Sequence, residues 1–332
     1  MTGVARAGAR LLVLFSLLVV VNFLLPRALP GDPLAALVRG GGEDMPFALT
    51  PEARAQLAAY YGLDRPLREQ FVRYLGDLAR GDLGQSIHFQ RPVASLIGSR
   101  LPWSLLLGLL ALVLAAAGGA LLAVRAAWRE GRREARVLTA TLVFFGALPE
   151  FVVGLALLVL LAVWWPLFPA RGALSPFASC EGAALLGCAV DAARHLALPL
   201  ATLVLAHLPG FYLVMRAATL AEVAQGYVVA ARAKGLDERA VALRHAARNA
   251  LLPFVALFGA RAGFVVGGVV IVETVFAYPG VGQLAFEAVL ARDYPVLQAV
   301  FLLAGAAVLV ANAAADAALV RLDPRLRAVS LS

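Results

Sequence analysis

The sequence predicts an all-α membrane protein of about six transmembrane helices, with both termini cytoplasmic and a helical extracytoplasmic segment between helices 1 and 2. Three observations predict it. The 332 residues are 61% hydrophobic and only 15% charged, with a mean hydropathy of +0.83, whereas soluble domains carry about a quarter charged residues. So few polar side chains cannot cover a water-facing surface, but a bilayer accepts an apolar exterior. Six apolar runs recur, at 11–26, 105–124, 137–165, 196–215, 253–276 and 296–320. Most approach the ~20 residues that a helix needs to cross ~30 Å of hydrocarbon. A β-barrel would show ~10-residue alternating segments instead. Finally, arginines gather in the short flanks that would face the cytoplasm.

Residues 1–28 form the first predicted transmembrane helix. Arg6 and Arg10 place its start inside. A cleaved signal peptide is the alternative; a retained helix is preferred because 22–33 offers no clean small-x-small cleavage site. Residues 29–100 form the extracytoplasmic segment, since long loops cross regardless of charge. Within it, Thr50-Pro51-Glu52 is a helix start and Gly62 a stop, with a second start at Asp64. Leu67, Phe71, Tyr74, Leu75 and Leu78 then share one face. Such a helix lies on the membrane, covers the outer mouth, or simply packs against its neighbours.

Residues 101–332 form a core of five transmembrane helices. Arg125, Arg129, Arg132, Arg133 and Arg136 put the next loop inside. Arg216, Arg232, Lys234, Arg239, Arg244 and Arg248 do the same for 219–252, and Arg321, Arg325 and Arg327 for the C-terminus. Cys180 and Cys188 fall together in the outer loop 166–195. The outer side is oxidising, so a bridge worth about 2–3 kcal/mol is permitted. Two free thiols are the alternative, because spacing does not fix geometry. No histidine stands beside both cysteines, and His88, His195, His207 and His245 are scattered, so no metal site is expected. The formal charge of +8 does not point to nucleic acid, because no basic stripe interleaves with aromatics.

The loop 219–252 carries Ala231-Arg232-Ala233-Lys234-Gly235-Leu236. Gly235 permits a sharp break before a second short helix from Asp237. Asp237 and Glu238 sit at its positive end, with Arg244, His245 and Arg248 toward the negative end. A compact helix-turn-helix of this kind suits a groove on a partner, and a bare positive-inside loop is the alternative. Lys234 is the single lysine of the chain. A P-loop needs Gly immediately before its Lys, and Ala233 stands there, so nucleotide hydrolysis would belong to another chain.

Charges in apolar runs cost ~2.5–3.5 kcal/mol on insertion scales. Glu150 follows Pro149 in mid-run and is read as a pore-lining group, with a buried neutral or paired acid as the alternative. Arg261 is read as snorkelling to the inner surface. His207 beside Pro209 is a candidate for lining the path, although a satisfied interior histidine is the simpler reading. Glu273 either lines the outer mouth or fixes the loop that follows it. Asn312 and Asp316, one turn apart, are read as a hydrogen-bonding pair between helices. Gly263, Gly267 and Gly268 allow close packing, in the bundle core or at an interface with another subunit.

Ordered motifs run along nearly the whole chain. They include Pro30-Gly31-Asp32-Pro33, Gly62-Leu63-Asp64, Gly81-Asp82-Leu83-Gly84 with Ser86, Arg91-Pro92-Val93 and Arg100-Leu101-Pro102. Tyr227 to Pro253 follows, then Glu273-Thr274-Val275-Phe276, Pro279-Gly280-Val281-Gly282, Arg292-Asp293-Tyr294-Pro295 and Asp323-Pro324-Arg325. Together they resemble the ABC importer permeases of the dipeptide, oligopeptide and nickel transport family. Gly226 stands where that family usually has an acid, Val229 and Ala230 where it often has Arg and Thr, and Leu319 where it often has Tyr.

The resemblance implies a non-catalytic subunit of the bacterial inner membrane, forming half of a pore for peptides, nickel complexes or similar solutes. It implies a second homologous permease, two ATPase subunits that bind ATP and Mg, and an extracytoplasmic substrate-binding protein. The chain itself would hold no cofactor. Ala231, Arg232, Ala233, Lys234, Gly235 and Leu236 would couple to the ATPase, and Pro279, Gly280 and Gly282 would form an outer gate. A gradient-driven carrier using Glu150 and Glu273 is the alternative, but no inverted repeat is evident. The motifs of zinc proteases and serine hydrolases are absent.

Overall fold

The computed structural model describes residues 3–28, 50–62, 64–176, 180, 185–263, 265–267 and 269–322. Pro30 to Pro33, Leu63, Gly268 and Asp323 to Arg327 lie outside the described residues. Among the described residues the fold is helical, with one isolated bridge between Gln85 and Pro92.

Helix α1 spans Gly3–Ala28. Helix α2, Pro51–Tyr61, starts at the predicted proline, and Gly62 follows with φ 66°. Helix α3, Leu67–Ala79, begins after Pro66 rather than at Asp64, because a residue preceding proline is barred from the helical region. Helix α4 covers Val93–Trp128, about 54 Å at 1.5 Å per residue. Its outer end therefore starts well before the apolar run at 105. Apolarity marks where a helix crosses hydrocarbon, not where it ends.

The third apolar run is not one helix. Helices α5, Arg133–Ala147, and α6, Glu150–Leu158, meet at 98°. Pro149 has no amide to donate and holds Leu148 extended at ψ 135°, which breaks the helix there. A π-helical turn, Val159–Trp164, continues α6. Helix α7 is Leu185–Val223 and α8 is Gly226–Ala233. Glu238–Ala240 (α9), a π-helical stretch Val241–Ala246, Ala247–Asn249 (α10) and Leu251–Gly263 (α11) follow one another closely. The fifth run is also interrupted: α12 is only Val270–Val275. Helices α13, Val281–Ala291, and α14, Tyr294–Leu322, complete the chain.

Among the described residues three helices (α4, α7 and α14) are long and apolar enough to span a membrane, or four if the bent pair α5–α6 is one span. The apolar part of α1, Gly8–Leu24, is shorter. At one end of the bundle Val93, Leu96 and Ile97 of α4 pack on Val281 and Leu284 of α13 and Val296 of α14. At the other, Ala123 and Ala126 of α4 pack on Tyr212 and Met215 of α7 and on Ala247 and Ala250. A Cβ on Gly263 would sit 2.8 Å from the Val308 Cα, and one on Gly267 would sit 3.0 Å from the Ala304 Cβ. These glycines serve the packing of α14 within this chain.

Candidate functional site

The candidate in 219–252 is built on one turn. Gly235 has φ 77°; its amide donates to the Arg232 carbonyl at 2.9 Å, and the Leu236 amide donates to the Ala231 carbonyl at 3.4 Å. This is the glycine-terminated Schellman arrangement that closes a helix and reverses the chain. Asp237 then caps the next helix, its Oδ2 accepting from the Ala240 amide at 3.3 Å. Arg232 donates to Glu238 across the turn at 3.1 Å and lies over the Trp128 ring, 4.9 Å from its centroid.

The structure divides the six predicted coupling residues. Ala231 is buried with Val228, Val241 and Ala246 against Trp128, so it is a packing residue. Arg232, Ala233, Lys234, Gly235 and Leu236 are exposed. Val229, which sequence reasoning noted only as a departure, is 56% exposed and adds an apolar knob to Leu236 at 44%. Tyr227 was missed as well. Its hydroxyl donates to Glu222 Oε2 at 2.5 Å and accepts from Asn249 Nδ2 at 2.9 Å, which ties the two arms of the segment together. Burial and the Glu222 hydrogen bond raise its pKa above the ordinary tyrosine value.

The outer candidate centres on Glu273 and is not a pore wall. Glu273 has no exposed surface, which corrects its assignment as pore-lining. Its carboxylate accepts from Ser104 Oγ at 2.6 Å and from the Gln283 amide at 3.0 Å, and it also accepts from the Gly282 amide. Ser104 Oγ accepts from the Val281 amide at 2.7 Å. These amides are the first of α13, which have no partner within their own helix. A carboxylate from α12 and a hydroxyl from α4 thus cap α13, at the positive end of its dipole. Gly280 and Gly282 make the approach possible. A Cβ on Gly280 would lie 2.1 Å from the Glu273 carboxyl, and one on Gly282 would lie 2.6 Å from the Val270 Cα. Arg100 holds the same corner, donating to Gln283 at 3.2 Å and pairing with Glu287 at 3.6 Å.

A parallel lock joins two further motifs. Asp293, fully buried, accepts from Ser86 Oγ at 2.5 Å and from the His88 amide at 3.0 Å. It therefore pins the loop after α3 to the start of α14.

Within the bundle, Glu150, His207 and Arg261 converge from α6, α7 and α11. Glu150 Oε1 lies 3.8 Å from His207 Nε2, and Arg261 Nη1 donates to His207 Nδ1 at 2.6 Å. With Nδ1 accepting, the neutral imidazole carries its proton on Nε2, facing the acid. Glu150 and His207 are about one-third exposed, so they border open space. Arg261 does not snorkel to the inner surface as expected: it packs over Phe211, 5.5 Å from the ring centroid. Asn312 and Asp316 are exposed on α14, and the hydrogen-bonding role between helices read from the sequence finds no side-chain partner among the described residues of this chain.

In the outer loop, Cys180 and Cys188 are bonded, with Cα atoms 5.2 Å apart. Ser175 donates from its amide and hydroxyl to Asp191 at 2.6 and 2.8 Å.

Comparison with known proteins places these features. Residues 117–328 match the family described as binding-protein-dependent transport system inner membrane component. A putative peptide permease of Brucella ovis is 35% identical over 311 residues, 93% of this chain and 94% of that protein. The di/tripeptide transport system permease of Pseudomonas aeruginosa is 34% identical over 336 residues, 98% of each. The dipeptide transport system permease of Escherichia coli K12 is 31% identical over 321 residues, 92% of this chain and 93% of that protein. With matches of this length on a bundle of long apolar helices, the chain belongs to the family of binding-protein-dependent transport system inner membrane components and is a multi-pass peptide-type ABC permease of the bacterial inner membrane.

Proposed function

We propose that this chain forms half of the translocation pore of an ATP-driven importer, with peptides as cargo. One of two ATPase subunits would grip the exposed turn around Leu236, a second permease would complete the pore and engage the other ATPase, and a binding protein would deliver cargo from outside. The nucleotide and its Mg would be held by the ATPases. The observation that carries this reading is mechanical continuity. From Glu238 to Gly263 the backbone is helical apart from the turn at Ala250, and the Ala250 amide still donates to the Ala246 carbonyl at 3.1 Å. Arg261 stands near the far end of this path, in α11. A push on the turn is therefore delivered to Arg261, and through it to His207 and Glu150. Those groups would line the path and meet the charged ends of a peptide.

Two further observations support the assembly. Asn312 and Asp316 are exposed at membrane depth on α14, where uncovered polar groups are costly; another subunit or a water-filled path relieves that cost. The six-span arrangement with cytoplasmic termini fits the arginine distribution. Peptides are preferred to nickel complexes as cargo because the relatives named above are peptide permeases.

The test is reconstitution with the ATPases and binding protein in proteoliposomes. Leu236→Asp with Val229→Asp is expected to abolish ATP-dependent peptide uptake at unchanged membrane abundance. Undiminished uptake would sink the coupling assignment. Uptake that survives ATP depletion but collapses with the ion gradient would instead establish the gradient-driven alternative.

A further inference from the structure

The outer ends of α1 and α14, helix α3 and the loop 82–87 enclose a cavity of about 370 Å³, within the usual range of small-ligand sites, about 300–1,000 Å³. Neither the coupling turn nor the Glu150 cluster borders it. Its wall carries both signs of charge, with Arg27, Arg65 and Arg73 beside Asp77 and Asp82.

Arg27 is held rigidly. Its Nε and Nη2 donate to Gln70 Oε1, both at 3.1 Å, and its Nη1 donates to the Phe23 carbonyl at 2.8 Å. A guanidinium has five N–H groups, so two remain for a ligand. Arg73 approaches Asp77 only to 3.8 Å and is half exposed. Gln298 also lines the cavity, is 9% exposed, and its Nε2 has no hydrogen-bond partner. The Tyr74 hydroxyl accepts from Asn22 at 3.2 Å, and burial raises its pKa, so it remains a donor at neutral pH.

Depth identifies the ligand's surroundings. Helix α14 rises about 43 Å. Centring ~30 Å of hydrocarbon on it puts Gln298 at the outer margin; Asn22 of α1 meets it there, donating to the Gln298 carbonyl at 2.7 Å, and Arg27 lies about 7.5 Å further along α1. Beyond the charges the cavity wall turns apolar, with Leu78 of α3 and Ala299 and Leu302 of α14.

We propose that this cavity holds the phosphoethanolamine headgroup of an outer-leaflet phospholipid, with its phosphate on Arg27 and Arg73, its ammonium on Asp77 and Asp82, and its acyl chains past Leu78 and Leu302 of the cavity wall. A glycerol headgroup offers nothing to the two carboxylates. A choline headgroup offers them a cation without N–H donors. The site therefore selects phosphatidylethanolamine over both.

The test places the full-length chain in nanodiscs with equal phosphatidylethanolamine, phosphatidylglycerol and phosphatidylcholine, and reads co-released lipid by native mass spectrometry. Phosphatidylethanolamine is expected to dominate. Arg27→Ala with Arg73→Ala lowers its retention about tenfold, as loss of charge-assisted bonds predicts. Asp77→Asn with Asp82→Asn turns the preference toward phosphatidylglycerol, a change of selectivity that simple misfolding does not produce. Equal retention of the three lipids, or a preference untouched by both charge pairs, overturns the proposal. Displacement of the lipid by excess soluble phosphoethanolamine overturns the lipid assignment in favour of a free phosphoester, and displacement by a dipeptide overturns it in favour of cargo.

Discussion

A carboxylate with no exposed surface is expensive unless its charge and lone pairs are met in place. Glu273 meets that condition by capping α13, together with Ser104, from outside that helix. Glu273→Ala would strand the Ser104 hydroxyl and the amides of Gly282 and Gln283, at a cost on the order of 3 kcal/mol. Glu273→Gln keeps one acceptor and should cost less. Thermal unfolding in a mild detergent checks this: the alanine variant should melt several degrees below the glutamine variant, and identical melting would remove the capping role. Sequence reasoning found Glu273 because an acid in an apolar run demands a reason. It could not find the reason, because Ser104 is 169 residues away. The Asp293–Ser86 pair spans 207 residues and was invisible for the same cause, although both motifs had been noted separately. Local signals name a residue that must be satisfied, whereas its partner is set by packing.

The coupling segment shows how a turn type dictates tolerance. Gly235 sits in the left-handed region, which costs an ordinary residue about 1–2 kcal/mol but suits asparagine better. Uptake per ATP hydrolysed should therefore fall in the order Gly235, Gly235→Asn, Gly235→Ala, and an alanine variant equal to wild type would show that the turn is not strained during transport. Tyr227 adds a pH signature. Its pKa is raised from the model-peptide value of 10.0, so the protonated form is favoured in the folded state. The stabilisation it gives is complete below about pH 10 and is lost as pH rises through the raised value. Hydrogen-exchange protection of this segment, corrected for intrinsic rate, should be flat across neutral pH and decline only in alkali; a decline near pH 7 would contradict it. The helix-turn-helix was readable because Gly235 and Asp237 are local signals. The inward position of Ala231 was not, since it depends on Trp128 from a distant helix.

Across the whole molecule, the apolar runs located the bundle but not its breaks. Pro149 announced a disturbance in the third run, yet the size of the bend, 98°, follows from what α5 and α6 pack against. The outer reach of α4 escaped notice because Arg100 and Pro102 interrupt its hydropathy, and a helix outside hydrocarbon needs no apolar run. The bonded Cys180–Cys188 pair closes a small loop. Non-reduced peptide mapping should find the two cysteines linked, and reductant should loosen that loop by about 2–3 kcal/mol without disturbing the bundle; two free thiols would refute the bridge. Lys234 is exposed at the tip of the Gly235 turn. It carries the only side-chain amine of the chain. Once the α-amino group has been blocked, amine chemistry addresses a single known point. A dye or cross-linker placed there, with no engineered residue, reports whether a partner has seated on the turn and how close it comes.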